Sequence, residues 1–285
     1  MSNQLVTMND MLANARAKNI AVGAFEFWSI DSAFAVVEAA NELDTDVILQ
    51  IGHYERDHLG SWVNARKAAE MAAEKAKRGV ALHLDHAEKY DDVLAALDAG
   101  FTSVMIDGSA LPLAENIKLA RRVVDTAKKY GASVEAELGR LAGAEGTIEN
   151  AEEFQTDPAE ARQFVTETGV DALAVAIGTA HGFYKSVPKI NIARLRDIAA
   201  QVSIPLVLHG GSGTPDEKVA ESILHGVAKI NICTEFIAAY GKGYVDAQAS
   251  SQFKCNVPGL FAKGQDRARE LVKTKLRLFL SHAGK

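Results

Sequence analysis

Cysteine is scarce in this sequence: Cys233 and Cys255 are the only two among 285 residues. Two cysteines at this spacing form neither a disulfide framework nor a Cys-x-x-Cys metal pair. No uninterrupted apolar run reaches the roughly 18 residues that a membrane-spanning helix needs. The N-terminal segment also lacks the basic stretch and apolar core of a signal peptide. We therefore expect a protein of the reducing cytoplasm with no membrane partner.

Positive charge is not in excess either. The 31 lysines and arginines are outnumbered by 37 aspartates and glutamates, which gives a formal net charge of −6. No block of basic residues interrupts this balance, so nucleic acid is not an expected partner. A local site can still oppose the global sign and bind an anionic small molecule. The length allows one large core, and we expect a single domain over residues 1–285.

Apolar runs rich in β-branched residues alternate with amphipathic stretches along nearly the whole chain. In residues 113–127, for example, apolar side chains recur at helical spacing. Eight such units predict a (β/α)₈ TIM barrel with an extra C-terminal helix at 264–282, and a doubly wound open sheet is the alternative. The predicted strands are 20–25, 46–51, 80–85, 103–107, 133–138, 172–178, 205–210 and 227–232.

Polar and titratable side chains follow the third to the eighth predicted strands. The active site of such a barrel lies at the carboxyl ends of its strands, so we expect these side chains to meet at one rim. They are Asp85, His86, Asp107, Glu135, Glu137, His181, His209, Ser212, Asn231 and Thr234.

Three of these residues, His86, His181 and His209, are histidines from different strands. Any one of them could be an ordinary hydrogen-bonded rim residue. Three imidazoles with an open fourth position, however, are typical of a catalytic zinc site. Their convergence therefore favours Zn²⁺ as cofactor. His83 lies deeper in its strand and is expected to support the site rather than bind the metal.

Glycine follows two of the proposed ligands directly, in "HGFYK" and "HGGSG". Each motif alone could be an ordinary tight turn. Barrels often bind phosphate in the loops after the seventh and eighth strands, where backbone N–H groups close on an oxyanion. Together the motifs predict a phosphate site to which Lys185 and Ser212 add charge and a donor.

Two carboxylates are candidates for proton transfer. Asp85 precedes a proposed metal ligand, and the alternative is a carboxylate that only orients a histidine. Glu145 lies in the glycine-bearing stretch "GRLAGAEGT", and its alternative is a solvated loop charge.

Six longer motifs resemble, in order and spacing, the class II zinc-dependent ketose-phosphate aldolases, which include fructose- and tagatose-bisphosphate aldolases. They are "LHLDHA", "MIDGS", "VEAELG", "AVAIGTAHGFYK", "PLVLHGGSG" and "KINICTE". The resemblance implies reversible cleavage of a ketose 1-phosphate or 1,6-bisphosphate into dihydroxyacetone phosphate and an aldehyde. It also implies a homodimer or homotetramer and a monovalent cation (Na⁺ or K⁺) beside the phosphate.

The resemblance assigns roles position by position. It implies that His86, His181 and His209 bind zinc, and that Asp107 and Glu137 can hold the metal in an alternative, outward position. Asp85 becomes the acid/base and Glu145 the glutamate of the mobile loop. The residues matching the dihydroxyacetone-phosphate site are Gly182, Lys185, Gly210, Gly211, Ser212, Asn231 and Thr234.

The chain departs from the family where the aldehyde half would bind. "NVPGL" at 256–260 replaces an arginine-bearing stretch, and Cys233 replaces an acidic or amide residue of fructose-specific members. "GAFEFWSID" replaces an asparagine-containing segment, and we expect Trp28 to form an apolar wall there. We therefore predict that fructose 1,6-bisphosphate is a poor substrate, unless Arg56, Lys254 or Lys263 compensates.

Two other classes of protein are alternatives. A non-catalytic, aldolase-like subunit would be expected to lose a metal ligand or the acid, and this chain keeps them all. A barrel metal-dependent hydrolase would typically carry a His-x-His pair on its first strand, which "VGAFEF" lacks.

Overall fold

The computed structural model of the protein describes residues 5–139, 154–180, 182, 187–250 and 256–282. Within these residues, eight parallel strands form a closed barrel in sequence order. They are β1 (Val22–Glu26), β2 (Val47–Ile51), β3 (Val80–Ala87), β4 (Ser103–Ile106), β5 (Ser133–Leu138), β6 (Ala172–Val175), β7 (Leu206–Leu208) and β8 (Val227–Ile232).

Pairing of the first strand with the last closes the barrel. Val22 lies opposite Lys229, and Ala24 lies opposite Asn231. An open sheet would leave β1 and β8 unpaired or at different edges, so the doubly wound alternative is wrong. The predicted (β/α)₈ barrel is confirmed.

Helices surround the barrel and alternate with its strands. In the described residues they are α1 (Asn9–Ala17), α2 (Ile30–Leu43), α3 (His53–Leu59), α4 (Trp62–Ala73), α5 (Tyr90–Asp98), α6 (Leu113–Tyr130), α7 (Pro158–Thr168), α8 (Ile192–Gln201), α9 (Asp216–Ile223), α10 (Thr234–Ala249) and α11 (Val257–Phe279). None of these helices has both the length and the apolar character that crossing a bilayer requires.

Two apolar clusters hold this arrangement. The larger one lies between the barrel and the surrounding helices, where Phe25, Phe164 and Phe236 are fully buried. In the smaller one, Met8 and Leu12 of the α1 region pack with strand residues. Because α1 contacts β1 and β8, this cluster fills one part of the barrel with apolar side chains, and the polar residues occupy the carboxyl ends of the strands.

The C-terminal helix was predicted from residue 264, but α11 begins at Val257. The Asn256 side chain accepts a hydrogen bond from the Gly259 backbone N–H at 3.1 Å and so caps the helix. The segment "NVPGL" is therefore the first turn of a helix that packs on α10 and α2.

Candidate active site

The end of β3 carries Asp85 and His86 to the same cavity. Consecutive residues of a regular strand point to opposite faces. Here His86 has a left-handed backbone with φ of 47°, and the pairing with β4 shifts register between Leu84 and Ala87. This local irregularity breaks the alternation, and both Asp85 and His86 line the cavity.

His86 and His209 face each other across this cavity. The distance between His86 Nε2 and His209 Nδ1 is 2.8 Å, and the two rings are almost perpendicular. Asp85 Oδ2 lies 3.8 Å from His86 Nε2. The three side chains thus form a potential metal-binding group. His181, the third predicted ligand, lies outside the described residues.

His86 also belongs to a second potential metal-binding group, with Asp107 and Glu137. Its Nδ1 lies 3.2 Å from Asp107 Oδ2 and 3.9 Å from Glu137 Oε2. The Ser109 backbone N–H donates to the other oxygen of Asp107 at 3.0 Å. One imidazole therefore belongs to both groups; the first contains two of the three predicted zinc ligands, and the second contains Asp107 and Glu137, which the resemblance assigns to the outward position.

The electrostatics of the second group favour a cation. Burial lowers the pKa of His86, but Asp85, Asp107 and Glu137 outweigh it and raise that pKa to about 10. Burial, followed by the Asp107 charge, raises the pKa of Glu137 well above its usual value. Its Oε2 is buried and has no hydrogen-bond partner in the described part of the chain. Imidazole and carboxylate donors gathered in this way suit a divalent ion such as zinc.

The carboxylate of Glu135, a fully buried residue of β5, orients the His209 ring. The His209 Nε2–H donates to Glu135 Oε1 at 2.8 Å, which leaves the lone pair of a neutral ring on Nδ1, towards His86. A histidine held by a carboxylate in this way is typical of metal sites. Glu135 was predicted at the rim but is fully buried, so its role is to position His209.

A buried ion pair lies beneath the site. Lys229 Nζ is 2.9 Å from Glu135 Oε2 and donates to Asn231 Oδ1 at 2.8 Å. Neither Lys229 nor Glu135 has measurable solvent exposure. Asn231 in turn donates to Asp85 Oδ1 at 3.3 Å. This chain of contacts connects the supports of His209 and Asp85.

His83 supports the site, as its depth in β3 suggested. It is fully buried, and its Nδ1 lies 2.8 Å from Ser103 Oγ. Burial, followed by the nearby charge of Lys229, lowers the pKa of His83 well below its usual value. His83 is therefore a neutral residue of the barrel interior.

The cavity has a volume of about 240 Å³, and one of its walls matches the predicted phosphate site. Gly210 has φ of 66°, and a Cβ there would lie 2.4 Å from the Ala180 carbonyl oxygen. Only glycine fits this turn. Gly211 donates its backbone N–H to the Asn231 carbonyl behind the wall. The described residues of this wall are Gly182, Gly210, Ser212, Asn231 and Thr234.

A second part of the cavity lining contains residues that were not predicted from the sequence to bind substrate or metal. Glu26 ends β1, Gln50 lies near the end of β2, and Gly52 and Glu55 follow it. The Gln50 Nε2 donates to Glu26 at 3.0 Å and to Asp85 at 3.1 Å. The Gly52 N–H donates to the other oxygen of Glu26 at 2.8 Å. Strand alternation could have placed Glu26 and Gln50 inside the barrel, because each follows an outward apolar residue.

Two further expectations have different outcomes. Cys233, predicted to contact substrate, lines the cavity, and burial followed by the neighbouring carboxylates raises the pKa of its thiol.

Trp28, expected as an apolar wall, instead packs edge-on against Tyr240 and beside Phe236, and it is not among the described residues that line the cavity. Glu145 and Lys185 lie outside the described residues.

Comparisons with known proteins agree with this arrangement. The family described as "Fructose-bisphosphate aldolase class-II" matches residues 6–285. The YdjI aldolase of Escherichia coli K12 is 32% identical with a TM-score of 0.87, and the match covers 99% of each chain. A putative fructose-1,6-biphosphate aldolase of Coccidioides immitis is 25% identical, with a TM-score of 0.81 and 96% of each chain covered.

A third solved structure shares the fold. The fructose-bisphosphate aldolase of Campylobacter jejuni is 20% identical with a TM-score of 0.83, and the match covers 97% of this chain and 96% of that one. The family match over nearly the whole sequence, together with the closed barrel, identifies this chain as a member of the class II fructose-bisphosphate aldolase family.

Proposed function

We propose that this protein is a zinc-dependent aldolase that reversibly cleaves a ketose 1-phosphate or 1,6-bisphosphate into dihydroxyacetone phosphate and an aldehyde. One observation carries the proposal. Asp85 lies beside the facing His86 and His209 rings, and glycines and hydroxyl-bearing residues line the same cavity. A metal, a proton acceptor and an anion site within one cavity are the parts that this reaction needs.

The predicted zinc ligands are His86, His209 and His181, and Asp107 and Glu137 offer the alternative position. Zinc, when bound, supplies the Lewis acidity that polarises the ketone of the substrate. The His209 lone pair is aimed into the cavity by the bond to Glu135, so little rearrangement of this ring is needed for metal binding.

Asp85 is the proposed acid/base. Donors from Gln50 and Asn231 hold its two oxygens at 3.1 and 3.3 Å. In cleavage, Asp85 takes the proton of the C4 hydroxyl, the C4–O bond becomes the aldehyde carbonyl, and the C3–C4 electrons stay with the dihydroxyacetone phosphate half. Glu145 then supplies the proton to C3. Condensation reverses each step.

The phosphate of the dihydroxyacetone half would bind at the wall of Gly210, Ser212 and Thr234. Thr234 begins α10, and the amino end of a helix favours an anion. Lys185 would add a positive charge, and a monovalent cation (Na⁺ or K⁺) would offset the remaining charge. We further propose that the protein is a homodimer or homotetramer, with a sugar phosphate as its partner.

A cleavage screen tests the proposal. Zinc-loaded protein would be incubated with ketose 1-phosphates and 1,6-bisphosphates, and the release of dihydroxyacetone phosphate followed with a coupled reductase. We expect release that stops after chelation and returns with zinc. Release that persists after exhaustive chelation would reject the zinc-dependent class. No release from any ketose would favour a non-catalytic subunit.

A further inference from the structure

The wall formed by Glu26, Gln50 and Glu55, here called the acidic wall, lines the same cavity as the glycine loops. Asp85 lines it as well. Among the described residues that line this cavity, none is lysine or arginine. The part of the cavity that these residues line is therefore rich in carboxylates, with no lysine or arginine among the described lining residues.

The two glutamates of the acidic wall lie close together around Gly52. A Cβ built on Gly52 would be 3.3 Å from Glu55 Oε2 and 3.6 Å from Glu26 Oε1. Burial, followed by the charges of Asp85 and Glu55, raises the pKa of Glu26 well above its usual value. Negative charge is already crowded here, and no lysine or arginine of the described lining would compensate a further anion.

Gln50 adds a buried acceptor. Its Nε2 must face Glu26 and Asp85, because a carbonyl oxygen in that place would oppose two carboxyl groups. This orientation leaves Oε1 buried and without a hydrogen-bond partner in the described residues. A buried acceptor without a donor is costly, and a hydroxyl group of a ligand would satisfy it.

The cations that could have compensated are used elsewhere. The guanidinium of Arg56 lies over the Trp62 ring at 4.7 Å, and its Nε is 2.6 Å from Asp57. Lys263 on α11 pairs with Asp266 at 3.4 Å and lines a different groove. Lys254 lies outside the described residues. Neither described candidate reaches the acidic wall.

We propose that the acidic wall binds the aldehyde half of the substrate and selects an uncharged, hydroxyl-bearing tail over a phosphorylated one. This inference rests on the proposed function, and it adds the chemical class of the second product. Hydroxyl groups donate to Gln50 Oε1 and to the glutamate oxygens. A distal phosphate would meet the carboxylate of Glu55 and the negative charge that Glu26 and Asp85 crowd together, and at this depth such repulsion is weakly screened.

The test compares matched substrates that differ only in the tail. Fructose 1-phosphate and tagatose 1-phosphate are each paired with the corresponding 1,6-bisphosphate, and kcat/KM is measured for wild type, Glu55→Gln and Glu26→Gln. Each variant removes one carboxylate with little change of shape. Asp57→Asn is the matched control, because Asp57 lies on the same short helix with an exposed side chain and does not line the cavity.

We expect wild type to prefer the monophosphate of the better pair by at least about tenfold, equivalent to about 1.4 kcal/mol. Glu55→Gln should shift this ratio about tenfold towards the bisphosphate, and Glu26→Gln should shift it in the same direction. Asp57→Asn should leave it unchanged. Both kcat/KM values in this ratio are measured on the same protein preparation. A partial loss of folded enzyme therefore lowers both values equally and leaves their ratio unchanged.

Two results would overturn the inference alone: a wild-type preference for the bisphosphate, or a ratio that neither glutamate substitution changes while both substrates are cleaved. A bisphosphate preference would show that a cation from the undescribed residues or from a second copy of the chain reaches this part of the cavity. Failure of wild type to cleave any ketose 1-phosphate or bisphosphate would overturn the proposed function and this inference with it.

Discussion

The buried pair of Lys229 and Glu135 offers the sharpest test of how the barrel interior holds the site. Both side chains have 0% exposure, and their charged atoms are 2.9 Å apart. Lys229→Met keeps the volume of the side chain but leaves Glu135 buried without its cation. Removing one partner of a buried ion pair costs about 3–5 kcal/mol. We expect the free energy of unfolding to fall by about this amount.

Urea unfolding measures this loss, with the fluorescence of Trp28 and Trp62 as the signal. The matched control is Lys242→Met, because Lys242 pairs with Asp246 at 3.0 Å on the exposed face of α10. Exposed helical pairs contribute only about 0.3–0.5 kcal/mol, so the control should barely shift the midpoint. The double variant Lys229→Met/Glu135→Gln should recover part of the lost stability, because it removes the uncompensated charge.

The result that would refute this reasoning is equal stability of Lys229→Met and Lys242→Met. It would mean that Glu135 finds another partner or binds a proton without cost. A double variant less stable than Lys229→Met would also contradict the argument, since it would show that the carboxylate itself is favourable without the lysine.

Three further predictions concern the site itself. His209→Ala should lose tightly bound zinc and activity together, and metal analysis after gel filtration checks this; full metal retention would exclude His209 as a ligand. Asp85→Ala should keep zinc and the fold while the cleavage rate falls by roughly 10²–10⁴-fold; loss of zinc instead would make Asp85 an orienting residue. Gly210→Ala places a methyl group 2.4 Å from the Ala180 carbonyl, so KM for the ketose phosphate should rise more than kcat falls; an unchanged KM would exclude this turn from phosphate binding.

The barrel could be predicted because its sequence signals are local and repeated. Each strand is a short run of β-branched residues, and each intervening helix has an apolar stripe. The start of the last helix could not be predicted in the same way. Pro258 and Gly259 suggest a loop, but proline is favoured in the first turn of a helix, where its missing N–H costs nothing. The Asn256 cap confirms that the helix begins there.

The site residues at the strand ends could be predicted, because the barrel topology brings the carboxyl ends of all strands to one rim. The direction in which each side chain points could not be predicted in this way. Glu26 and Trp28 are two residues apart and would share a face of a regular strand. The strand ends at Glu26, so the alternation no longer applies to Trp28, which packs on Tyr240. The role of Lys229 depends on Glu135 from another strand, and single-sequence reasoning does not reveal such pairs.

Charge is distributed unevenly along the barrel axis, and this distribution supports the proposed metal site at the carboxyl ends of the strands. In the interior, Lys229 balances Glu135, so that level is neutral without any ligand. Above it, Asp107 and Glu137 surround His86, and in the metal-free protein a proton on His86 offsets part of their charge. Zinc would replace that proton and carry one more positive charge. The acidic wall differs from both levels in how its charge is compensated, because its glutamates have neither a lysine nor a predicted metal ligand among them.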